Sequence, residues 1–565
     1  MAKYILGVNG WDTRSHDTSA TIIKCENGEI KVLAAAEEER FSRIKHAYDS
    51  LPVNAVQFCL NEAGITSEEL YAVALSWDMP CLYDYRGLKL DFSENDFLSK
   101  LFGKMPRKKP KFNFVNHHLS HALSAYSPSG FQESNVMVID GQGETESLSI
   151  WNISNNGVKK LASSGIHASL GYFYESLTEF IGFRGNQAGK TMGLAPYGNN
   201  SYFNTLRSLF DIEDLCLNVE HTRGIEYGKT VANYLPIDEQ EQLRTLWFKK
   251  FRDLLKLSPN DNTKKYSFRS FPKVYRDIAA SGQEVLEELL IEIAQKARIK
   301  EENNNLCLAG GVALNCVTNG RLLNEFGFNI YVQPASNDAG TSLGAALEIA
   351  RQEGFSIDNI HMSAYLGQNC SDSEIYDVLQ KSDIRYVEMD DASDLIAEYI
   401  AKGKIIGLHQ GRFEFGPRAL GNRSFIANAD SEKMLDKINS QVKGREEGRP
   451  LAPVMIDTET NKIFGRYVYA PHMTIALPLA IDTIPAVTHV DNTTRPQTIR
   501  RNDNPTLYHQ IEKIKDEIGV GVVINTSLNY REPIVNRPVE ALRLLKNTDT
   551  DLIVFNNRFL CYSEK

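Results

Sequence analysis

The sequence predicts an α/β protein in two parts, a large N-terminal part ending near residue 360 and a smaller C-terminal one. Three observations predict it. Short apolar runs closed by Gly or Asn alternate with segments of helical periodicity along most of the 565 residues. A strand, glycine turn, strand unit near the start returns, in weaker form, at 135–152. Around Gly354 to Ser373 the register breaks, and mixed α/β character resumes at Ile384. A hydrophobic share of 42% with 38 glycines is that of an ordinary globular chain, which excludes a disordered or fibrous one. Domains of about 100–200 residues make this length several folding units.

The elements follow in order. Tyr4 to Gly10 is an apolar run closed by Asn and Gly. After a polar loop, Trp11 to Asp17, come the runs Ala20 to Lys24 and Lys31 to Ala36, read as strand, loop, strand, strand. His117 to Tyr126 reads as helix. VMVID, closed by GQGE and followed by SLSIWNI, repeats the strand and glycine-turn unit. Asn199 to about Ser270 is charged, contains SPNDNTKK and lacks strand alternation; it is expected to be a helical insertion with one exposed loop. A longer helix is expected over Gly282 to Ile299, because Val285, Leu286, Leu289, Leu290, Ile293 and Ala294 recur at the steps of a buried stripe. Then come the strand of LCLAGGVALN, the strand NIYVQPA, and a loop, SNDAG, feeding a Gly/Ala-rich helix that permits close backbone approach.

Composition bounds the function. Lys plus Arg is 62 against 72 Asp plus Glu, a net charge of −10, the wrong sign for a chain that grips nucleic acid through its phosphates. Any basic site must therefore be a local pocket. Cysteines at 25, 59, 81, 216, 307, 316, 370 and 561 form no CxxC pair, so reduced cytosolic thiols are expected. The N-terminal MAKYILGVNGWD has no basic and apolar leader pattern, and no apolar run approaches about 18 residues, so the expectation is a cytoplasmic protein with no membrane partner.

His117 and His121, four apart on a helix, present both imidazoles on one face at a chelating spacing. Such pairs also occur on ordinary helix faces. Asp140, closing VMVID, and Asp338, in SNDAG, stand at strand ends, where α/β folds gather ligands. Two His and two Asp make an N2O2 set that suits Fe(II), Mn or Zn rather than Ca. The turns DGQGE, AGGVALN and NDAGTS can each expose N–H groups to phosphates, although a glycine turn needs no ligand to exist. Together with the repeated hairpin they point to the ATPase fold of actin and sugar kinases. Neither GxxxxGK[ST] nor GxGxxG occurs. In the C-terminal part Arg418, Lys443, Arg449 and Arg495 lie in Gly- and Pro-flanked segments that can converge on one anion, as guanidinium forks suit phosphate and carboxylate. Asn525 and Ser527 follow the strand VGVVI. His16, with Asp12 and Asp17 beside it, is a candidate base with an orienting carboxylate.

With these residues in hand the sequence resembles the carbamoyltransferase family of the nodulation, cephamycin and tobramycin O-carbamoyltransferase type. The likeness runs through NGW with HD and SA, AEEERFSRIKH, HHLSHA, DGQGE, MGLAPYG, AGGVALN, ASNDAG, GRFEFGPRALGNRS, and NTSLN with EPIV. It implies an actin/Hsp70-like (Kae1-like) domain over 1–355 with an insertion at about 199–275, a linker over 356–372, and a YrdC-like α/β domain over 373–565. The implied activity takes carbamoyl phosphate and ATP, the latter with Mg, to carbamoyladenylate, and then transfers the carbamoyl group to a hydroxyl of a small natural product or glycan, as in antibiotic biosynthesis. The resemblance implies adenylate and carbamoyl phosphate contacts at Arg418, Lys443, Arg449, Arg495, Asn525 and Ser527, with Lys443 and Arg449 catalytic. It implies nucleotide contacts at Lys45, Gly141, Gly310, Gly311 and Asn315, and a metal, Fe(II) before Mn or Zn, on His117, His121, Asp140 and Asp338. His16 matches a histidine near the reacting group. The implied chain binds no nucleic acid and admits a homodimer. Two other readings remain at this stage: tRNA threonylcarbamoyl transfer, and a non-catalytic metal- and nucleotide-binding regulator.

Overall fold

The computed structural model describes residues 2–11, 15–219, 236–261 and 266–563. It divides into two compact units, Met1–Lys265 with Pro272–Met362, and Tyr266–Phe271 with Ser363–Lys565. The hexapeptide 266–271, read from the sequence as the end of the insertion, therefore belongs to the second unit.

The first unit is built on two five-stranded sheets with one topology. In the first, Lys3–Asn9, Ser19–Glu26 and Glu29–Glu37 run antiparallel in succession, and Lys3–Asn9 continues parallel to Leu70–Leu75 and then Lys111–Phe114. In the second, Glu133–Ile139, Glu146–Ser154 and Gly157–Gly165 make the antiparallel run, and Glu133–Ile139 pairs parallel with Asn305–Ala309, which pairs with Asn329–Val332. The sequence hint of duplication is thus realised strand for strand.

Helix His117–Tyr126 forms over the predicted residues, and Thr341–Gln352 lies against it and against the first strand. Small residues permit this approach. A Cβ on Gly344 would stand 1.7 Å from the Ser120 carbonyl oxygen, and one on Gly7 would stand 1.8 Å from that of Ser342. The long helix runs over Lys273–Glu301, starting nine residues before the expected start at Gly282. In the insertion region the helix Pro236–Leu255 matches the helical expectation, whereas the hairpin of Asp211–Glu213 with Cys216–Asn218 was not anticipated, since three-residue strands show no alternation. Residues 220–235 and 262–265 of that region, and Asp12, lie outside the described residues. No helix among the described residues is long and apolar enough to cross a membrane.

The second unit holds an eight-stranded mixed sheet. One half of it runs Arg423–Asn428, Val522–Ser527, Ala452–Ile456 and, at the edge, Gln497–Ile499. One apolar layer on this sheet includes Phe425, Ile524 and Ile553, and another includes Ile426, Val523 and Val554, all fully buried. Tyr266–Phe271, in which Phe268 and Phe271 are buried, joins the unit through the Phe268 N–H, which donates to the Glu447 carbonyl at 3.3 Å, and through Arg269, which pairs with Asp436 at 2.9 Å and Glu432 at 3.4 Å.

Candidate functional site

The first unit gathers His117, His121, Asp140 and Asp338 into a buried cluster whose ligand atoms all lie within 4.8 Å of one another. Helical spacing sets the two imidazoles edge to face with centroids 4.7 Å apart, and the aspartates arrive from the end of Glu133–Ile139 and the start of the turn Asp338–Gly340. Asp140 Oδ2 stands 3.4 Å from His117 Nε2 and 3.3 Å from His121 Nε2, and Asp338 Oδ1 is 3.7 Å from each. Such edges are those of N and O donors about 2.0–2.2 Å from a common first-row ion. The buried ring nitrogens of His121 make no hydrogen bond, which is costly unless a cation takes one of them. The residues fit a divalent transition metal.

Surrounding groups orient the donors. His117 Nδ1 donates to the Ser76 carbonyl at 3.1 Å, leaving Nε2 toward the aspartates, and its ring stacks on Trp77 with centroids 4.0 Å apart. Fully buried Glu144 accepts the His117 and Asp78 N–H groups at 2.9 and 2.7 Å and the Asn116 amide at 2.8 Å, pinning the start of the histidine helix. Asp140 spends Oδ1 on the N–H groups of Gly141 and Gly311, at 2.8 and 3.2 Å, so Oδ2 faces the histidines. Gly310 has φ +88°, and a Cβ there would meet the Ile139 carbonyl oxygen at 2.2 Å, so the turn requires glycine. Burial disfavours the His117 imidazolium, but Asp338 and Asp140 outweigh it and push its pKa up to about 10. The same negative potential that holds this proton attracts a cation.

Beside this cluster lies His16, its side chain 46% exposed and its Nδ1 3.2 Å from Asp17. Burial works against its charge, but Asp338, Asp17 and Asp140 carry its pKa up to about 10. The Glu175 side chain reaches solvent, yet the surrounding protein displaces enough water that desolvation, with Asp140 and Glu179 adding to it against His16, pushes its carboxyl up to about 7. Lys45 is exposed, and Asn315 caps the helix Cys316–Asn324 and pairs with Gln283. Sequence reasoning missed Glu144 and the neighbour of His16 across the loop, His46.

Topology builds the second site. Val522–Ser527 runs antiparallel to both Arg423–Asn428 and Ala452–Ile456, with Ser527 opposite Ser424 and Asn525 opposite Ala452. Gln497–Ile499 runs parallel to Ala452–Ile456. The ends carrying Asn525 and Ser527 and the starts that follow Arg418, Arg449 and Arg495 therefore share one edge of the sheet. Asn525 Nδ2 donates to the Ala419 carbonyl at 3.2 Å and to Gln497 at 2.8 Å, while its buried Oδ1 has no hydrogen-bond partner. Lys443 Nζ, nearly buried, donates to the Ser527 carbonyl at 2.6 Å, its hydroxyl at 3.1 Å and the Asn529 carbonyl at 2.9 Å. The Arg418 loop is held by Glu414, whose Oε1 accepts the N–H groups of Leu420, Asn422 and Arg423 at 2.8, 2.8 and 3.2 Å.

A further cation, Arg445, was missed although it sits two residues from Lys443. Burial first, then Arg449 and Arg495, hold its guanidinium well below the usual value; burial and Arg495 do the same to Arg449, with Glu446 opposing in both. Three guanidinium groups that repel one another in a desolvated place form a site that an anion stabilises.

Residues 83–347 match the carbamoyltransferase N-terminus family and 397–561 the carbamoyltransferase C-terminus family. The chain is 32% identical to the nodulation protein NolNO of Sinorhizobium fredii, over 96% of this chain and 78% of that one. It is also 32% identical to an uncharacterized protein of Synechocystis, over 98% and 96% of the two chains. A 3'-hydroxymethylcephem-O-carbamoyltransferase of Streptomyces clavuligerus is 33% identical over 47% of this chain and 50% of its own. Among solved structures, HypF of T. kodakarensis aligns over 64% of this chain and 50% of that one, at 12% identity and a TM-score of 0.32. With both family halves matched in order and a relative of 32% identity aligned over 96% of this chain, the chain belongs to the carbamoyltransferase family and is a carbamoyltransferase.

Proposed function

We propose that the protein is an ATP-dependent O-carbamoyltransferase whose two units carry two half-reactions. The second unit, a YrdC-like domain in this reading, takes carbamoyl phosphate and ATP, releases phosphate, and joins the carbamate to the α-phosphate of ATP with loss of pyrophosphate, giving carbamoyladenylate. The first, an actin/Hsp70-like domain, moves the carbamoyl group from that intermediate to a hydroxyl of a small natural product or glycan, with AMP leaving. The observation that carries this reading is the convergence of Lys443, Arg445, Arg449 and Arg495 with Asn525 and Ser527 at one sheet edge, where two polyanions must be brought together.

Catalysis at that edge is positioning and charge compensation. Lys443 is fixed by Ser527 and Asn529, the Arg418 loop is fixed by Glu414, and the three arginines offset the charge that would otherwise keep two phosphates apart. Mg enters with ATP as its counter-ion. In the first unit His117, His121, Asp140 and Asp338 would hold a divalent metal, Fe(II) before Mn or Zn, which supplies a Lewis acid for the phosphate or carbamoyl oxygens. His16 stands beside this cluster, where a donor or a base can act on the reacting group. Lys45, Gly310 and Asn315 are assigned to the adenylate's nucleotide; the N–H groups of Gly141 and Gly311 already serve Asp140.

The test is release of pyrophosphate and phosphate from ATP with carbamoyl phosphate, with and without Fe(II), in the absence of acceptor. Pyrophosphate release that depends on carbamoyl phosphate is expected. Its absence across metals, with acceptor mixtures also failing to restore it, would remove the adenylating step from this reading.

A further inference from the structure

The loop bearing His16 is stitched to the segment 43–50. Asp17 N–H donates to the His46 carbonyl at 2.6 Å, Asp49 N–H to that of Ser15 at 3.0 Å, and the Asn9 amide to the carbonyls of His16 and Asp17. The stitching holds an unusual backbone. Asp17, Arg43, His46, Ala47 and Asp49, none of them glycine, all have φ between 42° and 63°. Each left-handed residue costs roughly 1 kcal/mol or more, and such costs collect where geometry serves a function.

His46 is the best-held imidazole in this cluster. Its N–H donates to Glu39 at 2.7 Å, its carbonyl accepts from Asp17, and its Nδ1 lies 2.8 Å from Asp17 Oδ1. His16 reaches the other oxygen of the same carboxylate at the longer 3.2 Å. Both histidines keep Asp17 well below the usual carboxylate range despite its burial, so it is an ionised acceptor. An imidazole that gives Nδ1–H to a carboxylate has its lone pair on the opposite nitrogen, Nε2, the arrangement of an oriented general base. The His46 side chain is 27% exposed, and its ring lies 5.6 Å from that of Tyr48, itself 46% exposed. Tyr48 in turn bonds Asn186 and feels the charge of Glu175. His46, His16, Tyr48 and Glu175 are thus polar neighbours, each reaching solvent.

We propose that His46, oriented by Asp17, is the base that receives the proton of the acceptor hydroxyl, His16 remaining the donor toward the metal-side anion. The inference rests on the carbamoyladenylate reading above. The acceptor O–H proton passes to His46 Nε2 as the oxygen bonds the carbamoyl carbon; the bond from that carbon to the phosphate oxygen breaks, AMP leaves with the electron pair, and the proton passes on to solvent.

The test uses the full chain loaded with metal, glycerol as the hydroxyl probe, and hydroxylamine as a nucleophile that attacks without first losing a proton. His46→Ala and His46→Asn are compared with the unaltered protein; Asn tolerates the left-handed backbone and can still donate to Asp17, so it preserves the stitching. Both variants are expected to lower kcat for glycerol carbamoylation about 100-fold or more, with KM little moved, and to slow hydroxylamine carbamoylation by less than about tenfold. Added imidazole is expected to restore part of the His46→Ala rate. Full glycerol activity in His46→Asn, or equal losses with both nucleophiles, would overturn the assignment and leave His46 a structural residue. An unaltered protein that forms carbamoyladenylate and carbamoylates hydroxylamine but never glycerol overturns it as well. If the unaltered protein forms no carbamoyladenylate, the reading of the reaction fails first, which pyrophosphate release shows separately.

Discussion

Arg445 adds one cation to a place that already holds several, and its removal therefore discriminates between a site and a surface. Arg445→Ala is expected to lower carbamoyl-phosphate-dependent pyrophosphate release about tenfold or more, while metal content, measured by elemental analysis, stays unchanged; loss of a mere surface arginine would leave the release unchanged as well. Glu144 acts one layer behind the metal ligands. Glu144→Gln puts an amide donor against the N–H groups of Asp78 and His117, and is expected to weaken metal binding roughly 10–100-fold in a competition titration with a chromogenic chelator. At this scale the sequence revealed the groups with local spacing. His117 and His121 announce themselves four apart on a helix, and Asp140 and Asp338 by closing or opening elements. Glu144, Glu414 and His46 do not, because each works through partners that only the folded backbone brings near, such as Asp17 with His46 29 residues away.

Helix contact sets what the metal cluster tolerates among the elements. A methyl on Gly344 would meet backbone, not a flexible side chain, at 1.7 Å, so Thr341–Gln352 and His117–Tyr126 would have to part. Gly344→Ala is expected to cost about 1–3 kcal/mol, seen as a fall of several degrees in Tm, and to lower metal content because His121 neighbours the displaced Ser120. The end of the same helix is tied by Glu353 to two strands of the first sheet, through Lys3 at 2.5 Å and Lys111 at 3.0 Å. Bonds from Lys3, Tyr71 and Lys111 hold the Glu353 carboxyl down at about 2. A depressed carboxyl stabilises the fold above its unfolded pKa and loses that contribution as pH falls toward the folded one. Glu353→Gln is accordingly expected to unfold more readily than the unaltered protein in urea at pH 7, with the gap closing between about pH 4.5 and 2. Glycine-rich turns and hairpins were visible as strings, but the sameness of the two sheets was not, because parallel partners such as Glu133–Ile139 and Asn305–Ala309 lie more than 160 residues apart.

Two units, of which the first holds the one metal cluster found among the described residues, predict a divided response of the whole molecule. Calorimetry is expected to resolve two unfolding transitions, and a chelator to lower one of them, since a ligand stabilises only the unit that binds it. A single transition shifting as a whole would show instead that the units unfold together. Composition bounded this scale coarsely, to a globular chain of several folding units. It was silent on the hexapeptide 266–271, which is too short to carry a periodicity of its own.

That hexapeptide orders events in time. A ribosome delivers residues 266–271 long before it delivers 363–565, a delay of roughly tens of seconds at ordinary elongation rates. Phe268 and Phe271, fully or almost fully covered in the finished fold, emerge into water with their packing partners still unsynthesised. The first unit must therefore fold without residues 266–271, which find the rest of their unit only when residues 363–565 follow. Completion of the second unit is thereby a late act of translation, and a chain interrupted after residue 271 displays an aromatic stretch that marks it as unfinished.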